Sequence, residues 1–170
     1  DSVTERLKAG AMKSVPKYVQ MWEKDFSLSV KTERPFELEF DNALIAGSID
    51  MIKREDGNET VLEVIDFKTG KADNDLMHKY ELQVQLYTIA AQEALGINTQ
   101  KALIHFIDTD KNERLAVQTS PEALETAKEE LSFAIQGITK AMFKRDARQD
   151  KICKGCDWCN MCPKRKGYRG

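Results

Sequence analysis

With 170 residues, 41% of them hydrophobic and 32% charged, the chain is long enough for one domain with a real core, and its balance excludes an intrinsically disordered segment. No apolar run approaches the roughly 20 residues that span a bilayer and no signal-peptide pattern opens the chain, so it reads as intracellular. The start at Asp1 rather than Met reads as an excised or processed piece of something longer.

Val3 to Met12 and Pro16 to Phe26 read as two helices, with Ser14 as a cap and Pro16 in a first turn. Leu28 and Val30, then Phe36, Leu38 and Phe40, alternate with polar residues and predict two half-buried strands. Glu33, Glu37 and Glu39 fall on or near the wet face. Asp41-Asn42 turns the chain into a strand from about Ala43 to Arg54, and Asp56-Gly57-Asn58 turns it into the next.

That next strand, opening at Val61-Leu62 and ending Asp66-Phe67-Lys68-Thr69-Gly70, organises the rest. Alternation places Asp66 and Lys68 on the face of Leu62 and Val64, so an apolar face turns polar at its end. A carboxylate and an ammonium there could hold a divalent metal and steady a developing negative charge; the alternative is an ion pair at a strand end. Register decides whether Asp50 joins them. A strict two-residue Asp56-Gly57 loop sets Asp50 against Glu63 and sends Asp66 to the other face. A three-residue loop sets Asp50 across from Val64, with Asp66 its same-face diagonal neighbour at about 7–8 Å. The expectation is an odd-length loop or a bulge. Gly47 fits a close approach of backbones, or a bulge.

Leu76 to Leu95 reads as a helix stopped by Gly96, with Tyr80, Gln83 and Tyr87 on one face toward the sheet, either for packing or as part of a site. Lys101 to Ile107 is an apolar strand containing His105, read as a satisfied core histidine. Asp108 to Asn112 turns it toward Arg114 to Gln118. Ser120 caps and Pro121 opens a helix to about Arg145, with Leu124, Ala127, Leu131, Ala134, Ile135, Ile138 and Met142 inward. From Lys140 onward ten Lys or Arg stand against three Asp, a net of +7, leaving −9 for the remainder of a chain whose net charge is −2. Such an end suits a phosphate backbone or is a solvated tail. The four cysteines, Cys153, Cys156, Cys159 and Cys162, recur every third residue before Pro163, too local for a disulfide framework, and predict metal binding.

Gly47-Ser48-Ile49-Asp50, the Asp66-Phe67-Lys68-Thr69-Gly70 strand end, Gln83-x-x-x-Tyr87 and the cysteine run, in this order, resemble the PD-(D/E)xK nuclease superfamily and most closely its RecB-like branch. The match runs from about Glu33 to Pro163. The resemblance implies an α/β fold: a mixed central sheet flanked by helices over residues 1–152, with the cysteine cluster and basic tail of 153–170 packed on the same domain. It implies metal-dependent hydrolysis of DNA phosphodiester bonds, with Asp50, Asp66 and the Phe67 carbonyl holding Mg²⁺ or Mn²⁺ and Lys68 stabilising charge. Gln83 and Tyr87 would lie beside the catalytic lysine or the DNA. It further implies a 4Fe-4S cluster on the cysteines, with Zn²⁺ the alternative. The implied partners are single-stranded DNA and a helicase subunit or fused helicase domain, with no membrane, in a nucleoid-associated setting. Two departures stand out: Cys159 is extra while no upstream cysteine exists, and no His or Glu before Glu33 matches the branch's upstream metal ligand. They suggest a missing N-terminal part and a chain that is weakly active or inactive. The competing class is an inactivated nuclease fold kept for DNA binding or scaffolding.

Overall fold

The computed structural model describes residues 3–69, 74–108 and 112–142. Five strands form one sheet in the order β1 (Ser29–Phe40), β2 (Ala43–Glu55), β3 (Asn58–Lys68), β4 (Lys101–Phe106) and β5 (Glu113–Val117). All neighbours are antiparallel except β3 and β4, whose parallel pairing requires the crossover helix α3 (Asn74–Glu93). The sheet is therefore mixed, as expected.

Alternation sorts the side chains into two layers. Val64, Ala102, Ile104, Phe106 and Val117 form the core with Val84, Ile89, Ala90 and Ala91 of α3 and with Leu124, Ala127 and Leu131 of α4 (Pro121–Thr139). Helices α1 (Val3–Trp22) and α2 (Lys24–Leu28) meet the other face, where Tyr18 and Trp22 lie against His105. Two compact units divide at Ser132 and Phe133; of the second, residues 133–142 are described, completing α4 and ending in a turn at Ala141, where φ is +50°. The expected boundary at residue 152, the cysteines and most of the basic segment lie outside the described residues. Among the described residues, no helix is long and apolar enough to cross a membrane.

Several local expectations are corrected. The two N-terminal helices are one through Pro16. An interior proline costs about 3 kcal/mol, but Ser14, Tyr18 and Trp22, spaced four apart, share one stripe that meets the body of the protein, and that packing prevails. The two short strands after it are one twelve-residue edge strand, interrupted at Glu33, whose φ is +46°. Helix α4 stops at Thr139 rather than near Arg145, and Ile138 and Met142 are exposed. Gly96 does end α3, with φ at +65° and the Ile97 N–H reaching back to the Ala91 carbonyl at 2.7 Å.

Candidate active site

The β2–β3 hairpin turns on two residues, Glu55 facing Asn58, yet the body of the ladder pairs Arg54 with Leu62, Ile52 with Val64 and Met51 with Ile65. Three extra residues of β3, Glu59 to Val61, bulge out between these registers. The bulge, not a three-residue loop, changes the parity. The same register carried one step further points Asp50 toward Asp66 rather than Val64.

At that step the ladder opens. Ile49 and Ile52 both join the core although three residues apart, so β2 breaks its alternation around Asp50, across from the left-handed Glu33. The opening leaves the Phe67 N–H without a backbone partner on β2, and Asp50 Oδ2 accepts it at 2.7 Å. A strand residue presents its N–H and C=O to the same side, so the Phe67 carbonyl points into the same gap.

Asp66 is 2% exposed, and its Oδ2 is ion-paired with Lys68 Nζ at 2.6 Å. Burial raises the Asp66 pKa above its ordinary value; the Lys68 ammonium opposes the shift and the Asp50 charge adds to it. Lys68 Nζ donates to Gln83 Oε1 at 2.8 Å, and Gln83 Nε2 donates to the Tyr87 hydroxyl at 2.8 Å. Burial likewise raises Tyr87, against a lowering by the Gln83 hydrogen bond. The Tyr87 ring packs edge-on against Phe36 at 5.8 Å, and Gly47 leaves room for the Phe36 ring.

Asp50, Asp66, Phe67, Lys68, Gln83 and Tyr87 are thus one constellation at the end of β3. A buried carboxylate, a second carboxylate and the Phe67 carbonyl form an all-oxygen donor set that suits Mg²⁺ or Mn²⁺. Among the described residues, no three His, Cys, Asp or Glu side chains gather into a metal site, so two carboxylates are what the described residues supply.

The family model for the PD-(D/E)XK nuclease superfamily matches residues 3–163. The chain belongs to that superfamily. Solved structures share the fold: the protein SSO0001 at 20% identity and a TM-score of 0.55, over 91% of this chain and 69% of that one. A protein from Eubacterium rectale that carries the name of an exonuclease matches at 15% identity and a TM-score of 0.58, over 90% of this chain. This chain spans 59% of that protein's length. No curated protein sequence matches the chain. Nucleases of this superfamily generally use divalent metals such as Mg²⁺ or Mn²⁺.

Sequence reasoning missed a second polar cluster, behind the site on the α1 side of the sheet. Asp25, 3% exposed, is bound by Arg114 through both guanidinium nitrogens, by the Tyr18 hydroxyl at 3.0 Å and by Lys53 Nζ at 3.6 Å. Lys53 also pairs with Glu63, its cross-strand partner, at 2.7 Å. Arg114 Nε donates to His105 Nδ1 at 3.1 Å, and His105 Nε2 faces Asn112 Oδ1, which also accepts from the Trp22 indole at 3.1 Å. Burial and the adjacent guanidinium lower His105 to about 4, so it is neutral and, as expected, satisfied in the core. The available signal was Glu63, a lone charge inside the apolar run Val61 to Ile65. The Phe67 ring lies among Tyr18 and His105 at 5.6 and 5.5 Å, which ties this cluster to the strand that carries Asp66 and Lys68.

Proposed function

We propose that this superfamily member is a deoxyribonuclease that hydrolyses phosphodiester bonds with Mg²⁺ or Mn²⁺, acting on single-stranded DNA ends beside a helicase in repair or recombination. The observation that carries the reading is the buried Asp66 carboxylate, ion-paired with Lys68 at 2.6 Å, with Asp50 bound to the N–H of the residue between them at 2.7 Å. A divalent cation bound there supplies positive charge toward the scissile phosphate and lowers the pKa of an attacking water. Lys68 has three N–H donors. One goes to Gln83 and one faces Asp66, which leaves the third to orient the water or meet charge building on the phosphate. Tyr87 acts through Gln83, fixing the amide so that its oxygen, not its nitrogen, faces Lys68.

The single-strand and helicase parts of the reading rest on the RecB-like motifs and on the net positive segment from Lys140, and the chain has no nucleotide-binding loop of its own. The same motifs support an intracellular, nucleoid-associated setting. Four evenly spaced thiolates form a donor set for a 4Fe-4S cluster on Cys153, Cys156, Cys159 and Cys162, with zinc the alternative. Brown protein with about four iron and four sulfide per chain supports the cluster; colourless protein with one zinc rejects it.

Labelled single-stranded and duplex DNA incubated with Mn²⁺ or EDTA tests the main reading. Cleavage should require the metal and vanish in Asp66→Ala and Lys68→Ala while both variants stay folded; wild-type rates in either would end it. Neutralising Arg145, Arg148 and Lys151 should flatten the salt dependence of single-strand binding by up to about 0.7 per lost contact. A second reading, an inactive DNA-binding module, is favoured by the two-carboxylate donor set among the described residues. It predicts salt-dependent binding without cleavage.

A further inference from the structure

Tyr80 takes no part in the chemistry above, yet it is the third wall around the Lys68 ammonium. It lies on the α3 face that carries Gln83 and Tyr87, and Lys68 Nζ stands 5.0 Å from its ring centroid. The ring is fixed in turn: Phe106, 1% exposed, packs against it at 6.2 Å and 63°, and Phe106 is the residue beside Lys68 in the β3–β4 register. The ammonium is therefore shared among a carboxylate at 2.6 Å, an amide oxygen at 2.8 Å and the negative face of an aromatic ring. Two of these partners, Gln83 and Tyr80, come from α3 and hold the ammonium from the side opposite the strand.

We propose that Tyr80 is a positioning residue for Lys68: its ring holds the ammonium on the α3 side, in the place set by Asp66 and Gln83. The consequence for cleavage rests on the nuclease reading; the contact itself does not. Lysine has a long, freely rotating stem, and without the ring its ammonium is held from one side fewer and leaves the place from which it meets the phosphate.

The test uses the full chain with Tyr80→Leu, Tyr80→Phe and, should the leucine variant not fold, the flexible and space-filling Tyr80→Met. In Tyr80→Leu and Tyr80→Met, kcat should fall about two- to thirtyfold, the range that matches loss of one cation–π contact. KM for DNA should be unchanged. Tyr80→Phe keeps the ring and should restore kcat. Independently of activity, the Lys68 ε-methylene resonance, assigned by its loss in Lys68→Arg, should carry a ring-current shift in the wild type and in Tyr80→Phe and lose it in the other two. Wild-type kcat in Tyr80→Leu, a change in KM alone, or equal damage in Tyr80→Phe overturns the proposal. If the wild type cleaves no DNA, the nuclease reading falls and the resonance decides: an unmoved signal overturns the contact, and a lost shift upholds Tyr80 as the residue that holds Lys68.

Discussion

Replacing Gly47 by alanine sets a methyl carbon 2.8 Å from Phe36 Cζ and 2.9 Å from Cε1. Carbon atoms pack at about 3.5–4.0 Å, so the ring must retreat by about 0.7 Å. It has little freedom to do so, being 4% exposed and already edge-on to Tyr87. Overpacking of this kind costs about 1–3 kcal/mol. For a chain of this size, each kcal/mol lowers Tm by about 2–4 °C, which gives a fall of about 2–12 °C. The φ of Gly47 lies outside the left-handed region, so the loss reports the contact and not backbone strain. The assay is thermal and urea unfolding of Gly47→Ala, Phe36→Leu and the double variant. The smaller side chain should accommodate the methyl, so the double variant should be more stable than the sum of the single losses by about 1 kcal/mol or more. Because Phe36 supports Tyr87, and Tyr87 supports Gln83 and Lys68, cleavage should drop in Gly47→Ala as well. A single variant within about 0.5 kcal/mol of wild type, or an additive double variant, would refute the packing argument.

Asp66 has a folded-state pKa above its ordinary 3.8, so ionising it costs stability above that pH and the cost disappears below it. Asp66→Asn should therefore melt higher than wild type at pH 7, with the gain shrinking toward pH 4, and Mn²⁺ should raise the melting temperature of the wild type only; a variant less stable at pH 7 contradicts this. His105 is shifted the other way, from 6.5 to about 4, so its contribution is complete above pH 6.5 and is lost as the pH falls toward 4. Acid unfolding of His105→Gln should lack that slope, and an identical pH profile would show that other groups carry it. Asp25→Ala leaves Arg114 and Lys53 without their shared carboxylate and should cost about 3–5 kcal/mol in urea unfolding, whereas a loss below about 1 kcal/mol would mean water replaces it.

Period-two alternation, turn chemistry and capping made most of the fold legible. Asp41-Asn42 does form a two-residue hairpin with both residues at positive φ, Ser120 caps α4 through the Ala123 N–H at 3.3 Å, and Gly96 ends α3. The misreadings have one cause. Pro16 and the polar run through Glu33 look like breaks when only neighbours along the chain are weighed, but in the fold a packed stripe and a ladder run straight through them. The Asp25 cluster was illegible for the opposite reason: its members come from α1, α2, β2, β3, β4 and β5, and no local spacing links them.

The site shows where local reading stops. Alternation alone puts Asp66 and Lys68 on one face, and helical spacing alone puts Tyr80, Gln83 and Tyr87 on another, but neither can say whether Asp50 meets them. That turns on one parity. The Asp56-Gly57 turn taken alone would separate the carboxylates, and the bulge at Glu59 to Val61 reunites them. Gln100 stands where that bulge ends: its side-chain oxygen accepts the Leu62 N–H at 2.8 Å, and its own N–H donates to the Leu62 carbonyl at 2.9 Å. A residue that looks like ordinary loop thus fixes the point at which β3 resumes its ladder, and with it the register that points Asp50 toward Asp66.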